Sequence, residues 1–516
     1  MPAVTKPKAK TPEPGNWIPF RAQAGTLPAF NSPKSPEQLS QNPKKDKPTT
    51  MKTKISFLAA SLLAACATPN VSAQLYTGTA STGLWNSSRW SSSSSGPFTS
   101  AWTANSASSF LAGTYTFSGA IASGTVNLGN VTLADSTTVS FSGASGTLGT
   151  GGAVRTFTIG SGSSIDFNTG AVSIAAGTGF IKEGSGWMAT SGAFYTGGFT
   201  LNAGTIVMRG INAMGNGANQ VVTLNGGTVA ANGDRNVLAR YGGGFNIAGN
   251  VQFGALSSAV SLSSSSANIT FGDNVALGGA TRTLTIGANG TYTFSGAIAN
   301  GGVTIDALSG TTGRITFSGT TANTYSSATA VNGGILELNK TAGVNAIAGN
   351  VSVASGATLL ISADNQVANS SAVTLSGGTI LRGATADEVF GNLNLTTASF
   401  LDYGATGTGS LQFGTYTPSS LLTVSNFRDG SKLIFGSDLT TTVNNASFFS
   451  FDNGFTSNWD GSLFTITAVP EPSTYAAAAG LIGLMLWPAR RRIVRDAQRI
   501  LGLRRPMRDR LARLRA

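Results

Sequence analysis

Carboxylates are the candidates for chemistry in this chain, because little else is on offer: its 516 residues include no His and one Cys. Without imidazole, Ser-His-Asp and Cys-His catalysis and any His-ligated metal are excluded. Fifteen of the 21 acids lie between residues 74 and 469, and acid pairs on a β-helix could build a glycosidase or a polysaccharide lyase. The pattern gives that enzyme little support. Asp387-Glu388 is the only adjacent pair in the region, and neighbours on a strand face opposite ways. Asp234, Asp306, Asp364 and Asp402 stand singly in turn-like contexts, where Asp hydrogen-bonds its own backbone. The reading is no catalytic residue, no metal and no cofactor. Three acids, or an Arg with two acids, gathered in one groove would favour the enzyme instead.

The elements that would carry any such site differ along the chain. The net charge of +12 comes from the tails: residues 1–73 carry +7 and residues 470–516 carry +8, against −3 in between. No aromatic or groove-reading module accompanies the arginines, so no nucleic-acid partner is expected. Charged residues make up 10% of the chain and Gly fills 67 positions. An average soluble domain has roughly 25% charged residues and about 7% Gly, so this composition argues against a helical bundle.

From Met51 the sequence MKTKISFLAASLLAACATPNVSAQ has a basic start at Lys52 and Lys54, a short apolar run and the small-residue site Val71-Ser72-Ala73. This is a secretory signal peptide over residues 51–73, cut by signal peptidase between Ala73 and Gln74. Residues 1–50, rich in Pro and Lys, are a disordered leader or a mis-assigned start. Leu63-Ala64-Ala65-Cys66 also resembles a bacterial lipoprotein box, in which Cys66 would be acylated and the product would be a lipid-anchored surface protein. Cleavage after Ala73 instead leaves neither Cys nor His, and so no disulfide.

At the other end, Val469-Pro470-Glu471-Pro472 precedes an apolar stretch to Trp487 and the cluster Arg490-Arg491-Arg492. Residues 469–492 resemble the PEP-CTERM sorting signal of Gram-negative bacteria. The resemblance implies recognition of Pro470, Glu471 and Pro472 by an exosortase, after transient anchoring in the inner membrane through a C-terminal helix. Two prolines enforce an extended, accessible backbone, and the Arg cluster holds the cytoplasmic side. Tyr475 to Trp487 is 13 residues, about 20 Å of helix against a ~30 Å hydrocarbon core, so flanking residues must make up the span. Residues 493–516 form a basic amphipathic tail suited to anionic lipid.

Residues 74–469 repeat themselves. GTYTFSGAIA occurs at Gly113–Ala122 and Gly290–Ala299, IAGNV at Ile247–Val251 and Ile347–Val351, and VTLNGGTV at Val222–Val229 returns as VTLSGGTI at Val373–Ile380. Apolar residues alternate within the units, which means strands. Gly-Gly, Asn-Gly and Ser-Gly pairs supply the corners. Long-range reuse of short strands predicts an all-β fold, a right-handed parallel β-solenoid of about 16–20 coils at roughly 20–25 residues each. Gly184–Trp187 with Phe194–Val207, and more loosely Asn323–Leu338, resemble the autotransporter-associated β-strand repeat, which implies a passenger-like surface solenoid. No C-terminal β-barrel pattern follows; the sorting signal stands in its place.

Trp85, Trp90 and Trp102 are expected in an N-terminal cap over residues 74–110, with a sugar-binding platform as the alternative. The solenoid then occupies residues 111–400, and strands with a Phe-rich cap occupy residues 401–468. The expected product is exported to the cell envelope, outer surface or medium, with a structural or adhesive role and extracellular polysaccharide as a candidate partner. The rival is a polysaccharide-active β-helix enzyme.

Overall fold

A computed structural model describes residues 85–469 apart from short gaps, the longest at residues 256–262, together with residues 74–76, 481–482 and 492–493. The signal peptide, Cys66, Ala73, Pro470 to Pro472, Arg490, Arg491, nearly all of the C-terminal apolar segment and the basic tail beyond residue 493 lie outside the described residues. Among the described residues no helix is long and apolar enough to cross a membrane.

Alternating apolar and small polar residues force one side of each short strand inward, and the chain closes that side by coiling. The strand Thr329–Val331 lies parallel to Val351–Ala354, which lies parallel to Val373–Ser376, with Thr329 opposite Val351 and Val351 opposite Val373. The 22-residue step between these partners is one coil. Stacked strands form a 22-stranded and a ten-stranded sheet, and the whole is a parallel β-solenoid of about 13 turns. The count is below the sequence expectation because some coils are longer. Arg235 pairs with Ile269, at a spacing well over the 22-residue step.

The larger sheet holds two faces of the coil, joined where strands bend around a corner. Val275–Ile286, for example, pairs at Val275 with Phe245 on the first face and at Leu284 with Val251 on the second. The ten-stranded sheet, from Arg235–Val237 to Phe449–Phe451, is the third face. Inward residues stack on their own kind: Phe117, Phe141 and Phe167 follow one another at 5.3 Å between ring centroids, an arrangement favoured for offset aromatic pairs.

Identical repeats do not occupy identical places. Gly113–Phe117 of the first decamer lies on the second face, paired with Thr137–Phe141, whereas Thr291–Phe294 of the second lies on the third, paired with Arg314–Gly319. In both copies the Tyr and Phe point inward. The repeat thus fixes which side of a strand is buried but not which face of the coil the strand joins.

The ends are closed by aromatic residues. Trp85 and Trp90 are fully buried, 5.5 Å apart, with Trp85 5.6 Å from Phe110 and Trp102 packed 4.7 Å from Trp90. A platform for sugar stacking needs an open ring face, so Trp85 and Trp90 cannot supply one. At the other end Phe455–Trp459 and Phe464–Ala468 form an antiparallel hairpin that pairs onto Ser431–Phe435.

Candidate functional site

Several Asn and Asp side chains at the corners hydrogen-bond the backbone of a neighbouring coil. Asn350 Oδ1 accepts from the Ala372 N–H at 2.9 Å, Asn274 from Ala297 at 2.9 Å and Asn392 from Thr415 at 3.0 Å. These partners are 22–23 residues apart and therefore one coil apart. A corner has no ladder partner for its N–H, and an Asn in the adjacent coil provides one.

Acids do the same work. Asp364 accepts from the Asp387 N–H at 2.9 Å, and Asp387 in turn from Ser410 at 2.6 Å. Asp234 accepts from Asn268 at 2.8 Å, a bond that holds its carboxyl below the usual carboxylate range. Asp306 and Asp402 bond locally, to the Ala307 and Gly404 N–H groups. The expectation of local bonding therefore holds for Asp306, holds in part for Asp402, which also accepts from Asn426 Nδ2 one coil on at 2.8 Å, and fails for Asp234 and Asp364, which reach into the next coil.

The densest titratable cluster among the described residues lies at the corner after Thr379–Arg382. Asp387 and Glu388 face opposite ways, as alternation requires: Asp387 is exposed, while Glu388 is fully buried and accepts from the Gln366 and Val367 N–H groups at 2.6 and 3.2 Å. Burial pushes the Glu388 carboxyl up to about 8, against the pull of those donors. Arg382, with no exposed side-chain area, lies 3.8 Å from Asp387. It donates to the Ala386 and Thr408 carbonyls and sits 5.7 Å over the Tyr403 ring. Its guanidinium is held below its ordinary value chiefly by burial, although Asp387 and Asp364 both act to raise it. Arg382 thus has two acids near it, Asp387, which is exposed, and Asp364, which is half-buried, but the guanidinium itself and the neighbouring Glu388 are sealed inside.

Lys182 and Lys340 are two further buried cations. Lys182 Nζ donates to the carbonyls of Glu183, Gly184 and Ala203 at 2.7, 2.8 and 3.1 Å, and Lys340 Nζ to those of Ser318 and Gly296 at 2.7 and 3.3 Å. Burial pushes them down to about 7 and about 8. Sequence reading missed both, although the signal was present. Lys182, Lys340 and Arg382 each stand two residues beyond an inward residue, Phe180, Leu338 and Ile380 respectively, so period two already placed them inside.

Two shallow depressions, of about 380 and 340 Å³, lie at the Gly-Gly corners before Phe199 and Phe245. Only Asp273 contributes a carboxylate to either lining, and no group of three metal-ligating side chains occurs among the described residues. Val469, the first residue of the sorting motif, donates its N–H to the Gly454 carbonyl at 2.9 Å. Gln74 begins a strand, Gln74–Tyr76, that runs parallel to Ser108–Phe110. Arg492 is described only within a short helical segment with Ile493. No family model, curated protein or solved structure matches the chain.

Proposed function

We propose that the chain is an exported, exosortase-sorted β-solenoid of the cell surface or extracellular matrix, with a structural or adhesive role and no catalytic centre. One observation supports the reading above the others. The described pairings lie between the two processing motifs: the first described strand starts at Gln74, after Ala73, and backbone pairing among the described residues runs to Val469, before Pro470. Processing at those two positions would therefore leave every described strand in place. The coil is taken as right-handed, the hand of nearly all parallel crossovers. The PEP-CTERM and autotransporter-repeat resemblances point the same way.

Consumption of the acids by the stack argues against the polysaccharide-active enzyme. At least thirteen of the fifteen acids between residues 74 and 469 accept a hydrogen bond or ion pair from their own turn or another coil. Outward columns such as Thr304, Ala330, Ser352 and Thr374 give extracellular polysaccharide a hydrogen-bonding face as a candidate partner. Intact-mass and terminal-peptide mass spectrometry on protein from the envelope and medium of the native host tests the proposal. A mature form that starts at Gln74 and lacks the apolar segment is expected. A form that starts at acylated Cys66 and keeps Arg490 to Ala516 would overturn the sorting claim and establish the lipid anchor.

A further inference from the structure

The hairpin that ends the solenoid leaves one sheet edge open. Its sheet runs in the order Glu388–Val389, Gly409–Phe413, Ser431–Phe435, Phe464–Ala468, Phe455–Trp459, and no described strand pairs with the outer side of the last. Bonds at both ends of the hairpin show which groups lie on that side. Val469 donates its N–H to the Gly454 carbonyl and Asp460 donates to the Leu463 carbonyl, and bonded and non-bonded positions alternate in an antiparallel pair. Thr456 and Asn458 therefore bond the inner strand, while Phe455, Ser457 and Trp459 turn their N–H and C=O groups outward.

The core is incomplete at the same three residues. Across the hairpin they stand opposite Ala468, Ile466 and Phe464, all buried, yet Phe455 and Trp459 are only half-buried and Ser457 is exposed. Natural sheet edges are guarded by Lys, Pro or inward-pointing charge, and Phe455–Trp459, with the sequence FTSNW, has none of these.

We propose that the strand missing from this layer is Phe455–Trp459 of a second copy, paired antiparallel about a twofold axis at Ser457. The inference rests on the last layer of the solenoid and not on export. In this register the strand is its own complement: Ser457 meets Ser457, while Phe455 meets Trp459 and Thr456 meets Asn458, each twice. The outward residues then form about six backbone hydrogen bonds, and the aromatic residues fall into favourable cross-strand pairs. Asp460 falls opposite Gly454, so no like charges meet. An unrelated peptide would share the backbone bonds, but only a second copy matches the side chains in this way. A pairing five residues long buries less than the ~1,200 Å² of stable complexes, so the dimer belongs to the weak class.

Sedimentation of the full-length chain in detergent, from micromolar to millimolar concentration, tests this. Wild type is expected to form a concentration-dependent dimer. Ser457→Lys sets two like charges across the axis and should weaken the dimer at least about tenfold, whereas Thr374→Lys, on the second face, leaves it intact. Ser457→Glu should act as Ser457→Lys does when alone, and the two variants mixed should pair with each other. A second readout covers loss of folding in these variants: in a Cys66→Ser background, Ser457→Cys at the axis links two chains on oxidation, and Thr374→Cys does not. A wild type that stays monomeric, a Ser457→Lys variant that dimerises as wild type does, or equal cross-linking from both cysteine positions would overturn the proposal. So would a mixture of the Lys and Glu variants that stays monomeric although each keeps the wild-type circular dichroism spectrum.

Discussion

Glu388 gives the molecule a pH dependence that can be worked out in sign. Its carboxyl is held near 8 in the fold, mainly by burial, against about 4.3 in an unfolded chain. Between those values the unfolded chain has released a proton that the folded chain keeps, so stability falls as pH rises through the window. Lys182 and Lys340, lowered to about 7 and about 8, act oppositely. They keep a buried charge below those values and lose its cost as pH rises toward the ordinary lysine range. The chain has no His, so the interval from pH 5 to 7 belongs to Glu388. The melting temperature is expected to drop across it, by an amount equivalent to about 2–3 kcal/mol at most. Glu388→Gln should flatten the slope. Parallel slopes in the two proteins would show that another group is responsible.

At the scale of elements, three positions of the repeated IAGNV explain it as a corner. The Ile points inward, the Gly passes where no Cβ fits, and the Asn accepts a backbone N–H from the next coil, Thr283 for Asn250 and Ala372 for Asn350. A Cβ on Gly249 would overlap the Asn225 carbonyl in the coil beneath. Gly249→Ala is therefore expected to separate the two coils and lower the melting temperature more than Asn350→Ala. The latter removes one acceptor and costs about 1–2 kcal/mol. Equal losses, measured by thermal melts, would count against the close-approach argument. Strands and corners were legible in the sequence because period two and Gly pairs report local geometry. The face each strand joins was not. Strand–Asn/Ser–Gly–Gly–strand runs from the first face to the second at Val222–Val229 and from the second to the third at Val373–Ile380, since the same corner suits either vertex. Nor did the pattern show that Asp364 and Asp387 each serve the next coil, at Asp387 and Ser410 respectively, because that depends on coil length.

Over the whole molecule, each coil touches only its neighbours, so stability is a sum of local interfaces and the ends decide whether the stack survives. The C-terminal end is closed by the hairpin of Phe455–Trp459 and Phe464–Ala468, which pairs onto Ser431–Phe435 and places Phe455 4.4 Å from Phe451. Without it, Ser431–Phe435 would present an unpaired edge and Phe451 would lose its cover, the combination that invites edge-to-edge association. Deletion of residues 455–468 from the full chain is expected to raise aggregation. It should also remove amide-exchange protection first from Ser431–Phe435 and Phe449–Phe451, while Thr329–Val331, several coils away, keeps its protection. If protection instead falls evenly along the chain, the solenoid melts as one cooperative body, and the hairpin stabilises all coils rather than guarding the last.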